Sequence, residues 1–188
     1  MGKGILLIVS GPSGCGKGTV LKHVLAKGGY RYSVSATTRP PREGEVHGVH
    51  YFFVDKSLFE EYLKDGKILE YTVYCDNYYG TPREFVEACL EDGMNVVLEI
   101  ETEGAANVKR LMPHALSVFI APPSMELLEA RLRGRGTEDE ETIQKRLRRA
   151  REEMLLAPTY DITIVNEEGA PDKAAELIAA AVESKKNA

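Results

Sequence analysis

Residues 4–19 read Gly4-Ile5-Leu6-Leu7-Ile8-Val9-Ser10-Gly11-Pro12-Ser13-Gly14-Cys15-Gly16-Lys17-Gly18-Thr19. The first seven are an apolar run of strand length bounded by glycines, which suits a strand buried on both faces of a parallel sheet. Gly11, Gly16 and Lys17 then fit G-x-x-x-x-G-K, and a helix pattern runs from Lys17 to about Lys27 before Gly28-Gly29 stops it. A strand before the glycines and a helix after them is the context that makes this motif a phosphate cradle. Glycines let the backbone wrap so that several N–H groups point at one anion. The helix start adds unpaired donors and a positive dipole end, and Lys17 adds a mobile point charge. The competing reading is a glycine-rich turn with a surface lysine. Gly18 stands where the motif usually carries a Ser or Thr hydroxyl for Mg²⁺, and Thr19 follows it. Direct metal ligation by the loop is therefore not expected; a donor role for Thr19 toward a phosphate oxygen is.

Outward from the loop, Ile5–Ser10, Asn95–Ile100, Leu116–Ile120 and Ile162–Val165 are strand-like runs separated by helical patterns, the signature of an α/β fold with a parallel sheet core. Between residues 30 and 80 the texture changes. Tyr and Phe become frequent, and short strand-like pieces appear at Tyr32–Ala36, Tyr51–Val54 and Ile68–Tyr74, with a helix expected over Lys56–Asp65. This region reads as an inserted mixed α+β lobe, residues 33–81, between core segments 1–32 and 82–188. The polar, glycine-containing stretch Gly134–Glu141 reads as a mobile flap within a short lid at about 126–156. Ala175, Ile178, Ala179 and Val182 at helical spacing make the tail a packing helix.

The chain has 188 residues, 43% hydrophobic and 28% charged, which fits a globular domain and excludes a disordered tail or a disulfide scaffold. No apolar stretch approaches the length that crosses a bilayer. The first nine residues lack a secretory cleavage pattern, so no signal peptide is expected. Cys15, Cys75 and Cys89 are odd in number and lack metal-ligand spacing, which suits a reducing cytoplasm. The net charge is −5, yet eight of the 24 Lys and Arg residues fall in the 21 positions 131–151. A local cationic site on an acidic protein points to a small phosphorylated ligand and away from a nucleic acid polymer.

Ser33-Val34-Ser35-Ala36-Thr37-Thr38-Arg39-Pro40-Pro41-Arg42-Glu43-Gly44-Glu45 carries two arginines three apart beside a proline pair. Prolines stiffen the loop, and two guanidinium forks converging on one phosphate give charge-assisted bonds. Tyr51 and the Asn77-Tyr78-Tyr79-Gly80-Thr81 turn offer hydroxyl donors. The alternative, a solvated charged loop, is the commoner fate of such a pair. Further on, Leu127, Leu128 and Leu132 span one apolar arc at about 100° per residue, and Arg131 and Arg135 fall within it. An arginine on a buried face needs an anionic partner or a cleft. Ile143, Leu147, Ala150 and Met154 form the next apolar stripe. Arg146 borders it, whereas Lys145, Arg148 and Arg149 read as solvated face.

These segments together closely resemble the guanylate kinase family, over nearly the whole chain. The resemblance rests on the phosphate loop, the S-x-T-T-R-x-x-R-x-G-E run, the N-Y-Y-G-T turn, Ile120-Ala121-Pro122-Pro123-Ser124, the stretch from Arg131 to Thr137, and Ile164-Val165-Asn166. It implies a P-loop NTPase-type core with helices on both faces, a GMP-binding lobe and a lid. The implied reaction is ATP-dependent phosphorylation of GMP, and of dGMP, with Mg²⁺. By the same resemblance Arg39, Arg42, Tyr51 and Tyr79 hold the GMP phosphate, and Ser35, Glu70, Thr81 and Glu101 read the guanine. The cradle residues Gly11, Ser13, Gly14, Cys15, Gly16, Lys17, Gly18 and Thr19 bind ATP. Lys17, Arg131, Arg135 and Arg146 act on its phosphates, while Arg135 and Asn166 border the adenine.

Guanine offers a ring N–H and an exocyclic amine side by side, which one carboxylate accepts together; adenine lacks that pair. Against this, a strand-end surface acid is the plain reading of Glu70. Glu99, Glu101 and Glu103 depart from the Asp and Gln common in the family, so Glu99 reads either as orienting magnesium waters or as a capping or solvent group. Cys15 at a helix start reads either as a thiol of lowered pKa, open to oxidation, or as a small loop filler. Two other functions compete: a different small-molecule P-loop kinase, such as a ribose bisphosphate phosphokinase, and a catalytically silent module that binds phosphorylated proteins. The intact Gly11, Gly16 and Lys17 weigh against the second. The oligomeric state is not set by the sequence.

Overall fold

The structure is a computed structural model that describes residues 2–74, 76–134 and 139–187. Its central sheet has five parallel strands in the order β2-β7-β1-β8-β9. They are β1 (Leu6–Ser10), β2 (Tyr30–Tyr32), β7 (Asn95–Glu99), β8 (Leu116–Ala121) and β9 (Ile162–Val165). The expected α/β core with helices on both faces is what the chain forms.

β1 lies at the centre, and the period of two explains its unbroken apolar run. Leu7 and Val9 point to one face, against Val20, Leu21 and Val24 of α1 (Lys17–Ala26) and Ala174, Ala175, Ile178 and Val182 of α7 (Pro171–Lys186). Leu6 and Ile8 point to the other, against Val86 and Leu90 of α3 (Arg83–Glu91) and Ala105 and Val108 of α4 (Thr102–Leu111). Each such Val, Leu or Ile contributes about 1.5–3 kcal/mol of burial, so both faces must be apolar for the sheet to sit between two helical layers.

A second sheet of four strands runs β4-β3-β6-β5. It comprises β3 (Ala36–Thr37), β4 (Phe52–Phe53), β5 (Ile68–Tyr74) and β6 (Asn77–Pro82). Its own small core is Ala36, Phe59 and Ile68, with Phe59 supplied by α2 (Lys56–Lys64). One expected strand is divided. Tyr32–Ala36 reads as continuous in sequence, but Tyr30–Tyr32 pairs with β7 in the central sheet, and only Ala36–Thr37 pairs with β6. Ser33 donates to Val97 O at 2.8 Å as the last rung of the central ladder, after which the chain crosses to the second sheet.

α5 (Met125–Gly134) and α6 (Glu140–Met154) form a hairpin packed through Leu128, Leu132, Ile143, Leu147 and Ala150. Asp139 caps α6 by accepting from Thr142 N at 2.8 Å. Residues 135–138, and with them Arg135, lie outside the described residues. Among the described residues no helix is long and apolar enough to cross a membrane.

Candidate functional site

Open parallel sheets bind ligands beyond the carboxyl ends of their strands. Here that edge is built from the loops after β1, β7 and β8. The loop after β1 has three glycines at positive φ: Gly11 at +149°, and Gly14 and Gly16 at +93°. At Gly11 an added Cβ would lie 2.1 Å from Ile120 O, and at Gly16 it would lie 2.4 Å from Asn166 Nδ2. Only glycine satisfies both the torsion and the space. Gly16 N-caps α1 with no side-chain cap, so the first-turn N–H groups of that helix have no side-chain partner. Lys17 Nζ turns back to donate to Gly11 O at 2.6 Å and Pro12 O at 3.2 Å.

The loop separates two recesses. One, of about 470 Å³, is lined by Gly11, Ser13, Lys17, Arg146 and Arg149 with the carboxylates Glu99, Glu101 and Glu153. Arg146 donates to Ser13 Oγ at 3.1 Å. The other recess is lined by Gly14, Gly16, Thr19, Arg131 and Asn166. There Arg131 Nη1 and Asn166 Nδ2 both donate to Cys15 O, at 3.3 and 2.8 Å. Arg131 thus meets a carbonyl; among the described residues it pairs with no carboxylate. Asn166 Oδ1 is buried with no hydrogen-bond partner among the described residues.

A third cavity, of about 320 Å³, opens between the two sheets. Ser35, Tyr51, Glu70 and Tyr79 line it from the side of the four-stranded sheet, and Glu99, Ile100, Glu101 and Gly104 from the end of β7 and the start of α4. Glu70 is positioned by an irregularity. Ile68 pairs with Pro82 and Tyr71 with Gly80, so Leu69 and Glu70 together oppose the single residue Thr81. Such a bulge re-aims a side chain. Here it sets the Glu70 carboxylate to accept from buried Thr81 Oγ1 at 2.7 Å. Burial pushes the Glu70 carboxyl up from its ordinary value, and the Thr81 hydroxyl offsets part of that. Its second oxygen lies 3.0 Å from where a Cβ on Gly104 would be.

The cavities share a wall. Glu99, Ile100 and Glu101, the residues that leave β7 and enter α4, border both the Lys17 recess and the Glu70 cavity. Ser10 Oγ fixes the wall by donating to Ile100 O at 2.8 Å. Glu99 accepts from Tyr32 O–H at 2.9 Å.

A family model described as Guanylate kinase matches residues 3–185. The chain belongs to the guanylate kinase family. Two curated relatives, the guanylate kinases of Streptococcus thermophilus strains CNRZ 1066 and ATCC BAA-250 / LMG 18311, are each 50% identical over 168 residues, 88% of this chain and 80% of theirs. The crystal structure of guanylate kinase from Anaplasma phagocytophilum is 33% identical, with a TM-score of 0.72 over 98% of this chain and 87% of that one. An uncharacterized protein from Eubacterium ventriosum, 16% identical with a TM-score of 0.51 over 97% of this chain and 99% of its own, shares the fold alone.

Two of the arginines singled out by sequence do not line the cavity between the sheets. Arg39 is held by Glu45 at 2.8 Å, with its guanidinium 5.6 Å from the Tyr51 ring centre. The Arg42 side chain is exposed, and its backbone N–H donates to Glu45 Oε2 at 2.7 Å. Glu45 is consequently held down to about 2 by Arg39 and the Arg42 N–H. Cys15 does not have the lowered pKa that a helix start suggests. It is 0% exposed, and burial pushes its thiol up. Gly18 borders open space.

Two residues in the Lys17 recess were not expected. Arg149, read from the helical stripe as solvated, lines it and pairs with Glu101 and with Glu153, the latter at 3.1 Å. The stripe records which face of α6 meets α5; it cannot record that the β7–α4 wall lies across from the opposite side. Burial pushes Glu153 up, and Arg149 offsets it.

Proposed function

We propose that the chain transfers the terminal phosphoryl group of ATP to the phosphate of GMP or dGMP, giving ADP and the diphosphate. One observation carries this reading. A glycine cradle with Lys17 and Arg146, and a cavity lined by Glu70, meet along the single wall Glu99–Ile100–Glu101. Two ligands bound one in each recess have their phosphates brought together there.

In this reading the ATP phosphates lie against Gly11, Ser13, Gly14, Gly16, Lys17 and Thr19, with Arg131, Arg135 and Arg146 around them. Asn166 Oδ1, buried and unpaired among the described residues, suits an exocyclic amine of the adenine. In the acceptor cavity Glu70, held from behind by Thr81, takes the guanine ring N–H and amine, and Ser35 completes the edge. Arg39, Tyr51 and Tyr79 take the acceptor phosphate, and for Arg39 this means exchanging Glu45 for the ligand. Arg42 takes part if its loop folds inward. Residues 33–81 then act as the acceptor lobe, and 126–156 as the lid over the donor.

Phosphoryl transfer is mainly positioning and charge neutralisation. The acceptor needs no general base, because a phosphate monoester has its second pKa near ~6 and is already anionic. Lys17 and the arginines keep two polyanions from repelling one another. Among the described residues no group of three or more His, Cys, Asp or Glu is placed to hold a metal, and Gly18 offers no hydroxyl. That donor set suits Mg²⁺ carried mainly by substrate phosphates and waters, with Glu99 facing one of those waters. The ion would neutralise phosphate charge. A cytoplasmic setting agrees with the free thiols of Cys15 and Cys89.

The test is a coupled kinase assay over GMP, dGMP, AMP, UMP and sugar phosphates. Turnover confined to the guanine monophosphates is expected. Equal turnover of AMP or of a sugar phosphate would overturn the acceptor assignment, and ATP binding without any transfer would favour a silent binding module.

A further inference from the structure

The donor recess is lined by equal numbers of basic and acidic side chains. Lys17, Arg146 and Arg149 face Glu99, Glu101 and Glu153. Arg149 takes two of those three carboxylates. Its Nε donates to Glu153 Oε1 at 3.1 Å, and its Nη2 meets Glu101 Oε2. Glu101 is the more consequential partner, because it lies on the wall that also borders the acceptor cavity. The Arg149–Glu101 pair therefore bridges α6 of the lid to the start of α4, across the mouth of the donor recess.

That bridge is easily given up. The two side chains are 59% and 71% exposed, and exposed ion pairs contribute little to stability. Phosphate oxygens offer a guanidinium bidentate, charge-assisted bonds. Glu101 leaves α4 without a side-chain cap, so nothing on its own helix holds the carboxylate in this position.

We propose that Arg149 couples the two cavities. In the structure it holds Glu101 at the donor recess. A polyphosphate entering that recess takes the guanidinium, and Glu101, released, turns to accept from the exocyclic amine of the base in the acceptor cavity. The proposal rests on the donor and acceptor assignment above. Donor binding then strengthens acceptor binding, and by thermodynamic reciprocity the acceptor strengthens the donor equally.

Calorimetric titration tests this on the full chain, with GMP and with inosine monophosphate, which lacks the amine, each with and without a non-hydrolysable ATP analogue. For the unaltered protein the analogue is expected to tighten GMP binding roughly tenfold and to leave inosine monophosphate unchanged. Arg149→Gln is expected to abolish the tightening, Arg149→Lys to restore part of it, and Glu101→Gln to remove it without weakening the analogue. Tightening that persists in Arg149→Gln, or that is absent from the unaltered protein, overturns the proposal. So does an Arg149→Gln protein that binds the analogue more weakly but keeps the tightening, because Arg149 would then be a phosphate ligand alone. Failure of the unaltered protein to bind GMP at all would instead sink the acceptor assignment.

Discussion

Glu70 and Thr81 face one another across a bulge, with Thr81 Oγ1 donating at 2.7 Å to a carboxylate that burial has already made reluctant to ionise. The carboxylate lining the cavity between the sheets is thus one the fold holds at some expense. A carboxyl with a raised folded-state pKa favours the fold most when protonated. Its contribution is present below the unfolded value and is lost as pH rises through the folded one. Near neutrality Glu70 therefore weakens the fold.

Glu70→Gln separates the two consequences. The variant is expected to raise KM for GMP about 10- to 100-fold, because one acceptor for two donors is gone. Its Tm at pH 7 should match or exceed that of the unaltered protein. In the unaltered protein GMP affinity should fall with acid at a higher pH than an ordinary Glu would give, and Glu70→Gln should lose that limb. A Tm well below that of the unaltered protein, with GMP kinetics intact, would remove Glu70 from the site.

Gly104→Ala probes the space rather than the charge. Its Cβ would stand 3.0 Å from Glu70 Oε2, within α4. Helix propensity favours alanine by about 0.5–1 kcal/mol, so the melt should hold or rise while KM for GMP increases and KM for ATP does not. Parallel changes in both KM values would count against this contact.

Lys17→Ala and Arg146→Ala should lower kcat far more than they weaken GMP binding. Loss of one charge-stabilising group typically lowers kcat by about 10²–10³. Steady-state kinetics paired with GMP titration would check this. Unchanged kcat with weakened GMP binding would reverse the assigned roles.

Gly18→Ala places a methyl group in open space at the second residue of α1. A gain of about 0.5–1 kcal/mol should raise Tm by about 1–4 °C for a chain of this size. A lower Tm would mean that the glycine is required by the loop.

Cys15 is expected to label slowly at neutral pH, with or without nucleotide, because its thiol is buried and protonated. Fast labelling that nucleotide blocks would contradict the described packing.

The core was legible because one-dimensional pattern and three-dimensional constraint coincide there. Leu6 to Val9 must be apolar on every residue to sit between two helical layers, and Gly11 and Gly16 must be glycine where backbone and Asn166 crowd them. The Glu70 bulge was not legible, since it exists only in the pairing of β5 with β6, and no local spacing encodes a two-against-one register. Arg149 is exposed, as its place off the stripe indicates, but its part in the recess was not legible for a related reason: the periodicity of α6 reports its packing on α5 and is silent about a wall arriving from β7. The division of Tyr32–Ala36 between two sheets likewise depends on Val97 accepting the last rung from Ser33.

Lys17 resting on the carbonyls of Gly11 and Pro12 has one more implication. The lysine already has oxygen neighbours on its own main chain, and an anion must replace them to engage it. A stray sulfate bringing a single contact gains little from that exchange, whereas a string of linked phosphates recoups the loss at several points at once. On the proposed reading, the resting contacts of this one side chain favour chains of linked phosphates over simple anions.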